Sequence, residues 1–470
     1  MEVLRSSSTI SEPEAVGQAL QAASLVTTPP LAENSKQFEA ARKGLEDAAV
    51  ASGGLWVSYL FVAFYLAIAA GAVTHLDLFL ENPVRLPFLN IELPLLAFFS
   101  LAPILFLIIH VYALAHFVIL SERANNYNAA LRALLGVAQD HASEALAAGD
   151  AMRRQLPSNV IVQFLAGPQY SRNGAFGLLL GAIAWITLVV APIGLFLLLQ
   201  VQFLPFHDAL ITWVQRGALA FDVLLSIWLW RKILSARERA SPQRSWVSRL
   251  ATAFAIVAII AAIAIAVLSC TLVTFPGEWQ ETALPSLEIF PALHGDSTDG
   301  GEVERVSLHE WLFNSPVDKF TRRRKLPLSS TLVLTAANVY EGMKVDDPKK
   351  TEWRKFVFSA RGRNLNGAVF ELASLPKVDF AGAQLQGVSF NEAQLQGSSF
   401  DAAQLQDSSF RFASLEGTSF ESADLEYADF SFAVLPGASL ILAQLQGADL
   451  EYASLQGELD PIGGTTGGWI

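Results

Sequence analysis

From Leu365 to Leu455 every fifth residue is Leu or Phe, without a miss: Leu365, Phe370, Leu375, Phe380, Leu385 and onward. Two positions before each stands a small residue, usually Ala, as at Ala368, Ala373, Ala383, Ala393, Ala403 and Ala453. The exceptions Val378, Ser398 and Thr418 are still compact. A period of five fits neither the 3.6 of a helix nor the 2.0 of a strand. It fits a chain that turns a corner every five residues and winds into a solenoid, with the large and small residues inward and the other three outward. Leu and Phe alternate from Leu365 through Leu435, so Phe recurs every ten residues.

The units Ala383-Gln384-Leu385-Gln386-Gly387, Ala423-Asp424-Leu425-Glu426-Tyr427 and Ala448-Asp449-Leu450-Glu451-Tyr452 resemble the pentapeptide-repeat family, whose unit reads roughly A-(D/N)-L-x-x. The resemblance covers about a fifth of the chain. It implies a right-handed quadrilateral β-helix with four pentapeptides per coil, and a role in displaying surfaces rather than in catalysis. Gln or Ser often stands here where the family has Asp or Asn, which leaves the fold expectation intact. Some soluble members resemble DNA in shape and charge and bind topoisomerase; the membrane runs described next oppose that reading.

The composition is 52% hydrophobic and 16% charged, well below the quarter charged of a soluble average. Five apolar runs are each long enough to cross a hydrocarbon core: Leu55 to Val73, Leu95 to Leu120, Phe176 to Leu199, Ile211 to Trp230 and Leu250 to Phe275. They are apolar all round rather than amphipathic, which opposes buried helices of a soluble protein. The expected fold is therefore an α-helical transmembrane bundle of about five spans plus the β-helix. The expected organisation is a polar N-terminal segment (1–50), mostly disordered with a short helix from Gln37 to Ala51, then a transmembrane region (51–275). A connecting region (276–360), the β-helix (361–457) and a flexible tail (458–470) follow. Within the connecting region, Gly295 to Gly301 reads as a loop, Thr331 to Val339 as a strand that starts the solenoid, and Asp346 to Lys350 as a turn.

Arg and Lys placement gives an orientation. Residues 121–174 and 231–249 are rich in Arg and are expected in the cytoplasm, whereas His75 to Ile91 and Val201 to Ala209 carry a single Arg between them. Five spans then place the repeat outside the cytoplasmic membrane. The pattern as a whole resembles a group of bacterial membrane proteins with an N-terminal multi-span region and C-terminal pentapeptide repeats. The stretches Leu86-Pro87-Phe88-Leu89-Asn90-Ile91-Glu92-Leu93-Pro94 and Gln155-Leu156-Pro157-Ser158-Asn159 carry that likeness.

Chemistry-bearing patterns are sparse. The net charge of −12 opposes nucleic acid as a partner, since phosphate binding needs clustered Lys and Arg. The lone Cys270 forms no intrachain disulfide and reads as a small apolar packing residue. His309-Glu310 begins like a zinc-protease motif, but Phe313 stands where the second histidine belongs. His110 and His116 lie six apart, off one helical face. No catalytic residue, metal site or cofactor is expected. Carboxylates such as Glu421, Asp424, Glu426 and Asp429 read as a solvated wall rather than a glycosidase pair, which needs a cleft. Arg216 and Asp222, inside the fourth run, are the intramembrane polar candidates. They read as a pair, with Arg216 able to snorkel to the headgroups, or as part of a pathway.

Residues twenty apart stack if four pentapeptides make a coil. One outward column then holds Leu372, Phe412, Phe432 and Tyr452, with Tyr427, Ile441 and Leu442 on neighbouring walls. Contiguous exposed apolar residues mark contacts, and aromatics are common interface anchors. Phe412, Phe432, Tyr452 and Tyr427 are therefore docking candidates, for another protein or a second copy; residues 276–360 or the tail with Trp469 could instead cover them. The expected function is a non-enzymatic, membrane-anchored scaffold that binds a protein or envelope component. The alternative is a transport or signalling component that uses the span bundle.

Overall fold

The structure is a computed structural model and describes residues 29–87, 91–136, 142–173, 175–240, 246–278, 288–291, 305–315, 328–342 and 357–455. The loop expected at 295–301, the turn at 346–350, the tail with Trp469 and part of the 86–94 stretch lie outside these residues.

The helical part begins with α1 (Pro29–Gly71) and the short α2 (His75–Leu80), which leads into a small hairpin of β1 (Val84–Leu86) and β2 (Ile91–Leu93). Then come α3 (Leu95–Gly136), α4 (Ala142–Arg154), α5 (Val160–Ala166) and α6 (Gln169–Asn173). The last long helices are α7 (Ala175–Phe206), α8 (Ala209–Ala240) and α9 (Trp246–Thr271). Among the described residues, four helices are long and apolar enough to cross a membrane: Glu33–Gly71, Leu95–Gly136, Ala175–Phe206 and Ala209–Leu229. The fifth run is helical as α9, Trp246–Thr271.

The N-terminal expectation needs correction. The helix starts at Pro29 rather than Gln37 and continues through Gly71 without a break. Pro29 and Pro30 sit in its first turn, where no N–H is required. Residues 29–36, expected to be disordered, are thus helical; residues 1–28 lie outside the described residues.

Two prolines interrupt the long helices, and in each case a neighbouring side chain takes the freed carbonyl. Pro103 in α3 has no N–H for the Phe99 carbonyl, which accepts from Gln215 Nε2 of α8 at 3.0 Å. Pro192 does the same to the Leu188 carbonyl of α7, and the turn before it, Ile186–Val190, widens to a π-helix.

The repeat is a continuous ladder of parallel bridges between residues twenty apart, from Asn364↔Gln384 to Val434↔Ser454. That interval is four pentapeptides per coil. An earlier coil comes from the segment expected to start the solenoid: Val333 pairs with Val369 and Asn338 with Ser374. The inward Phe side chains form two stacks, Phe370-Phe390-Phe410-Phe430 and Phe380-Phe400-Phe420, with ring centroids 4.8–5.1 Å apart. This matches the strand spacing of a β-structure. Rings of different stacks meet edge-on, as Phe410 and Phe420 do at 5.7 Å.

The chain divides into two compact units. One comprises Met1–Leu66, Ile104–Phe196 and Ala218–Ala266; the other comprises Ala67–Pro103, Leu197–Gly217 and Val267–Ile470. The second unit therefore joins the repeat to helix ends and the segments between them. A solenoid needs a cap on its open end. Phe79 of α2 supplies it, against Phe358, Phe370 and Phe380 at 5.0–6.3 Å. Arg363 fixes the contact by donating to the Phe79 and Leu78 carbonyls, at 2.5 and 3.3 Å, and lies over the Phe206 ring.

Candidate functional site

The corner two residues after each inward Leu or Phe adopts a left-handed backbone. Glycine occupies this corner at Gly382, Gly397, Gly417 and Gly437, because it alone enters that region without a steric penalty. Other residues take the corner in every column, as at Lys377, Ala402, Asp407, Ser422, Tyr427 and Leu442, but one column has no glycine among the described residues. Leu372, Glu392, Phe412, Phe432 and Tyr452 hold φ of 58–61°. A side chain there costs about 1–2 kcal/mol per residue. Each of the other three columns keeps at least two glycines.

The aromatics are stacked on one another and exposed. Phe412 and Phe432 have centroids 4.9 Å apart, as do Phe432 and Tyr452, with interplanar angles of 10° and 16°. Their exposures are 53%, 41% and 71%, against 0% for the inward Phe410 and Phe430. Stacking consumes the ring faces and leaves the edges outward. Ring edges carry partial positive charge, so they suit apolar side chains and acceptor groups rather than cations. Ile441, Leu442 and Tyr427 extend the exposed apolar surface on neighbouring walls. Tyr427 lies across Gly447, where a Cβ would meet its ring at 2.6 Å. The four docking candidates are all exposed, and three of them form one stack.

Around the column the wall is acidic. Between Arg361 and Leu455 there are twelve Asp and Glu against four Lys and Arg, and of the four only Arg411 lies beyond Lys377. Gln and Asp side chains run in ladders between coils, as in the contact of Gln406 with Asp424. Glu421 is exposed and Asp424, Glu426 and Asp429 are half-buried, whereas Asp379 is buried.

The two intramembrane candidates do not form a pair. Arg216 is 1% exposed; it donates through Nη1 and Nη2 to Glu278 at 2.9 and 2.8 Å and through Nη2 to the Val273 carbonyl at 2.6 Å. Asp222 is buried against His110, at 2.5 Å. Six residues of helix separate them by about 600° of rotation, so they face different neighbours. Snorkelling of Arg216 is likewise replaced by a buried ion pair, because Glu278 returns to it after α9. Sequence reasoning missed both partners. His110 was visible as a polar residue in an apolar run, but nothing local pointed to Glu278.

Outside the spans, a second histidine joins the repeat to the helix ends. His207 sits in the α7–α8 turn, with Nε2 2.7 Å from the Ser330 carbonyl and Nδ1 3.3 Å from Asn364 Oδ1. Burial, with Arg363 nearby, drives its pKa below the usual histidine value, against the opposing effect of those hydrogen bonds. Burial also lowers Arg363 to about 10, far enough above neutrality to keep it charged.

The comparisons bear on the repeat alone. Residues 360–391, 389–426 and 423–457 match the family described as Pentapeptide repeats, with 8 copies. Among solved structures, the chain is similar to the pentapeptide-repeat protein Rfr23 from the cyanobacterium Cyanothece 51142, at 24% identity over 20% of this chain and 66% of that one, with a TM-score of 0.15. It is similar to QnrB1, a plasmid-mediated fluoroquinolone resistance protein, at 23% identity over 21% of this chain and 51% of that one, with a TM-score of 0.17. It is also similar to HetL from Nostoc sp. strain PCC 7120, at 22% identity over 20% of this chain and 60% of that one, with a TM-score of 0.08. The chain thus spans between about half and two thirds of the length of these proteins. No functionally curated protein matches it. The C-terminal region of this chain, residues 360–457, carries pentapeptide repeats.

Proposed function

We propose that this chain is a non-enzymatic, membrane-anchored scaffold whose solenoid docks a protein partner along the Phe412-Phe432-Tyr452 column. The observation that carries this reading is the column's backbone: exposed aromatics occupy left-handed corners where glycine would cost nothing. The partner is a protein surface with an apolar centre and a basic rim, because the column is apolar and the surrounding wall acidic. The spans hold the solenoid at the membrane. With α9 as a fifth span and the basic segments 121–174 and 231–249 in the cytoplasm, the repeat lies outside a bacterial cytoplasmic membrane.

The test is Phe412→Ser with Phe432→Ser in the full-length protein. Under this reading, fold and membrane insertion survive and crosslinks to the partner, or to a second copy, disappear. Unfolding of the repeat, or crosslinks that all persist, would remove the docking role. The orientation is tested separately with Glu421→Cys and an impermeant thiol reagent on spheroplasts. Labelling only after permeabilisation would place the repeat in the cytoplasm.

A second reading, transport or signalling by the helices, is favoured by one observation: a buried polar cluster around Asp222.

A further inference from the structure

Three helices of the first unit bring polar groups to Asp222 of α8. His110 of α3 places Nδ1 2.5 Å from Asp222 Oδ1 and Nε2 3.2 Å from the Leu188 carbonyl oxygen of α7. That carbonyl has no helical partner because the residue four positions on is Pro192. In the π turn the Ala191 N–H bonds to the Ile186 carbonyl, which leaves the Thr187 carbonyl to accept from the Tyr59 hydroxyl of α1 at 3.0 Å. Tyr59 also stacks on His110, with centroids 5.2 Å apart.

The hydrogen-bond inventory fixes the protons. A carbonyl only accepts, so His110 Nε2 carries a hydrogen. The short contact between Nδ1 and Oδ1 then needs one proton between them, and the pair is neutral as a whole. Asp222 Oδ2 is left over: it is buried and has no hydrogen-bond partner among the described residues. Ser226 Oγ, one turn farther along α8, and Trp56 Nε1, one turn before Tyr59 on α1, are buried and unpartnered too. An unsatisfied buried group costs about 1–3 kcal/mol. A buried ion pair gains little over apolar residues of the same volume. Together with a π turn, these features mark a site rather than packing for its own sake.

We propose that Asp222, seated by His110 and flanked by Ser226, is a membrane-embedded proton-exchange site whose ligand is a proton delivered by water. In uptake, an O–H bond of hydronium breaks, a new O–H bond forms at Asp222 Oδ2, and water leaves. The pair gains one positive charge, and the new hydroxyl donates toward Ser226 directly or through water. Release is the reverse. His110 from α3 bonds to Asp222, and Tyr59 from α1 stacks on His110 with its hydrogen spent on Thr187; the Leu188 and Thr187 carbonyls of α7 bind these two side chains. The nearest charged residue along α8 on its N-terminal side, Arg216, is bound to Glu278. Ser226 lies toward the basic segment 231–249, so water enters from that end. The inference is independent of solenoid docking and rests on the second reading above.

The test uses full-length protein in lipid nanodiscs and infrared titration. The difference between wild type and Asp222→Asn should contain a carboxylic-acid carbonyl band that grows on acidification, and Ser226→Ala should shift its frequency. A difference spectrum with no such band, or with a band unchanged at every pH at which the protein stays folded, would overturn the site. If Asp222→Asn fails to fold, ¹⁵N-histidine NMR of the wild type, assigned with His110→Gln, gives the same decision. The His110 ring signals move with pH if Asp222 exchanges a proton and stay fixed if the pair is locked. Proteoliposomes loaded with a pH dye separate the two ideas. Proton binding without flux keeps the site and removes transport.

Discussion

The ring of Phe79 meets that of Phe370 edge-on, with centroids 5.5 Å apart, and both side chains are fully buried. Phe79 belongs to the short helix between the first two long apolar helices, and Phe370 heads an inward Phe stack. The contact turns the first loop of the helical region into the cap of the solenoid. Phe79→Ala should cost about 3–5 kcal/mol, as for other buried Phe truncations. Limited proteolysis of the full-length protein should then cut first near residues 357–380, before the later coils.

Phe400 lies between Phe380 and Phe420, at 5.0 and 5.1 Å, and is 0% exposed. Parallel coils cannot slide to fill a gap without breaking the bridges on both sides. Phe400→Ala should cost about 3–5 kcal/mol and lower the thermal midpoint of the repeat. Phe412→Ala, at an exposed corner of the next coil, should leave that midpoint nearly unchanged.

Arg216 and Glu278 neutralise each other in a buried setting. Arg216→Met leaves a buried carboxylate unpaired and should cost about 3–5 kcal/mol, whereas Arg216→Met with Glu278→Gln should recover much of it. Thermal unfolding in detergent, read as a double-mutant cycle, checks the pairing.

His207 is held neutral by burial, so its folded pKa lies below its unfolded value. Its contribution to stability is therefore full above the ordinary histidine pKa, about 6.5, and is lost as the pH falls toward the lowered folded value. Acidification below neutrality should lower the thermal midpoint, and His207→Gln should flatten that dependence. A midpoint that does not change with pH in the wild type would contradict the assignment.

The solenoid was legible because its signal is local and repeated. A large residue at every fifth position and a small one two before it dictate the corner and the inward wall, and stacking at twenty residues follows from the coil. The aromatic column at Phe412, Phe432 and Tyr452 could be read in the same way. The helices were legible because a run of apolar residues needs only its own backbone hydrogen bonds to be stable in hydrocarbon. The start of α1 was not, because Pro29 and Pro30 read as a break in the chain and as a helix's first turn alike.

The sequence by itself determined a run of apolar helices followed by a five-residue solenoid, since both follow from periodicity along one stretch of chain. Only the tertiary structure decided what the polar residues do. Arg216 finds Glu278 62 residues away, and His110 finds Asp222 112 residues away. The carbonyls freed by Pro103 and Pro192 are taken by Gln215 and His110 from other helices. A side chain's partner depends on which distant helix packs against it, and in a low-dielectric interior each polar group must find one. The local pattern sets the backbone; the packing of distant segments sets the pairing.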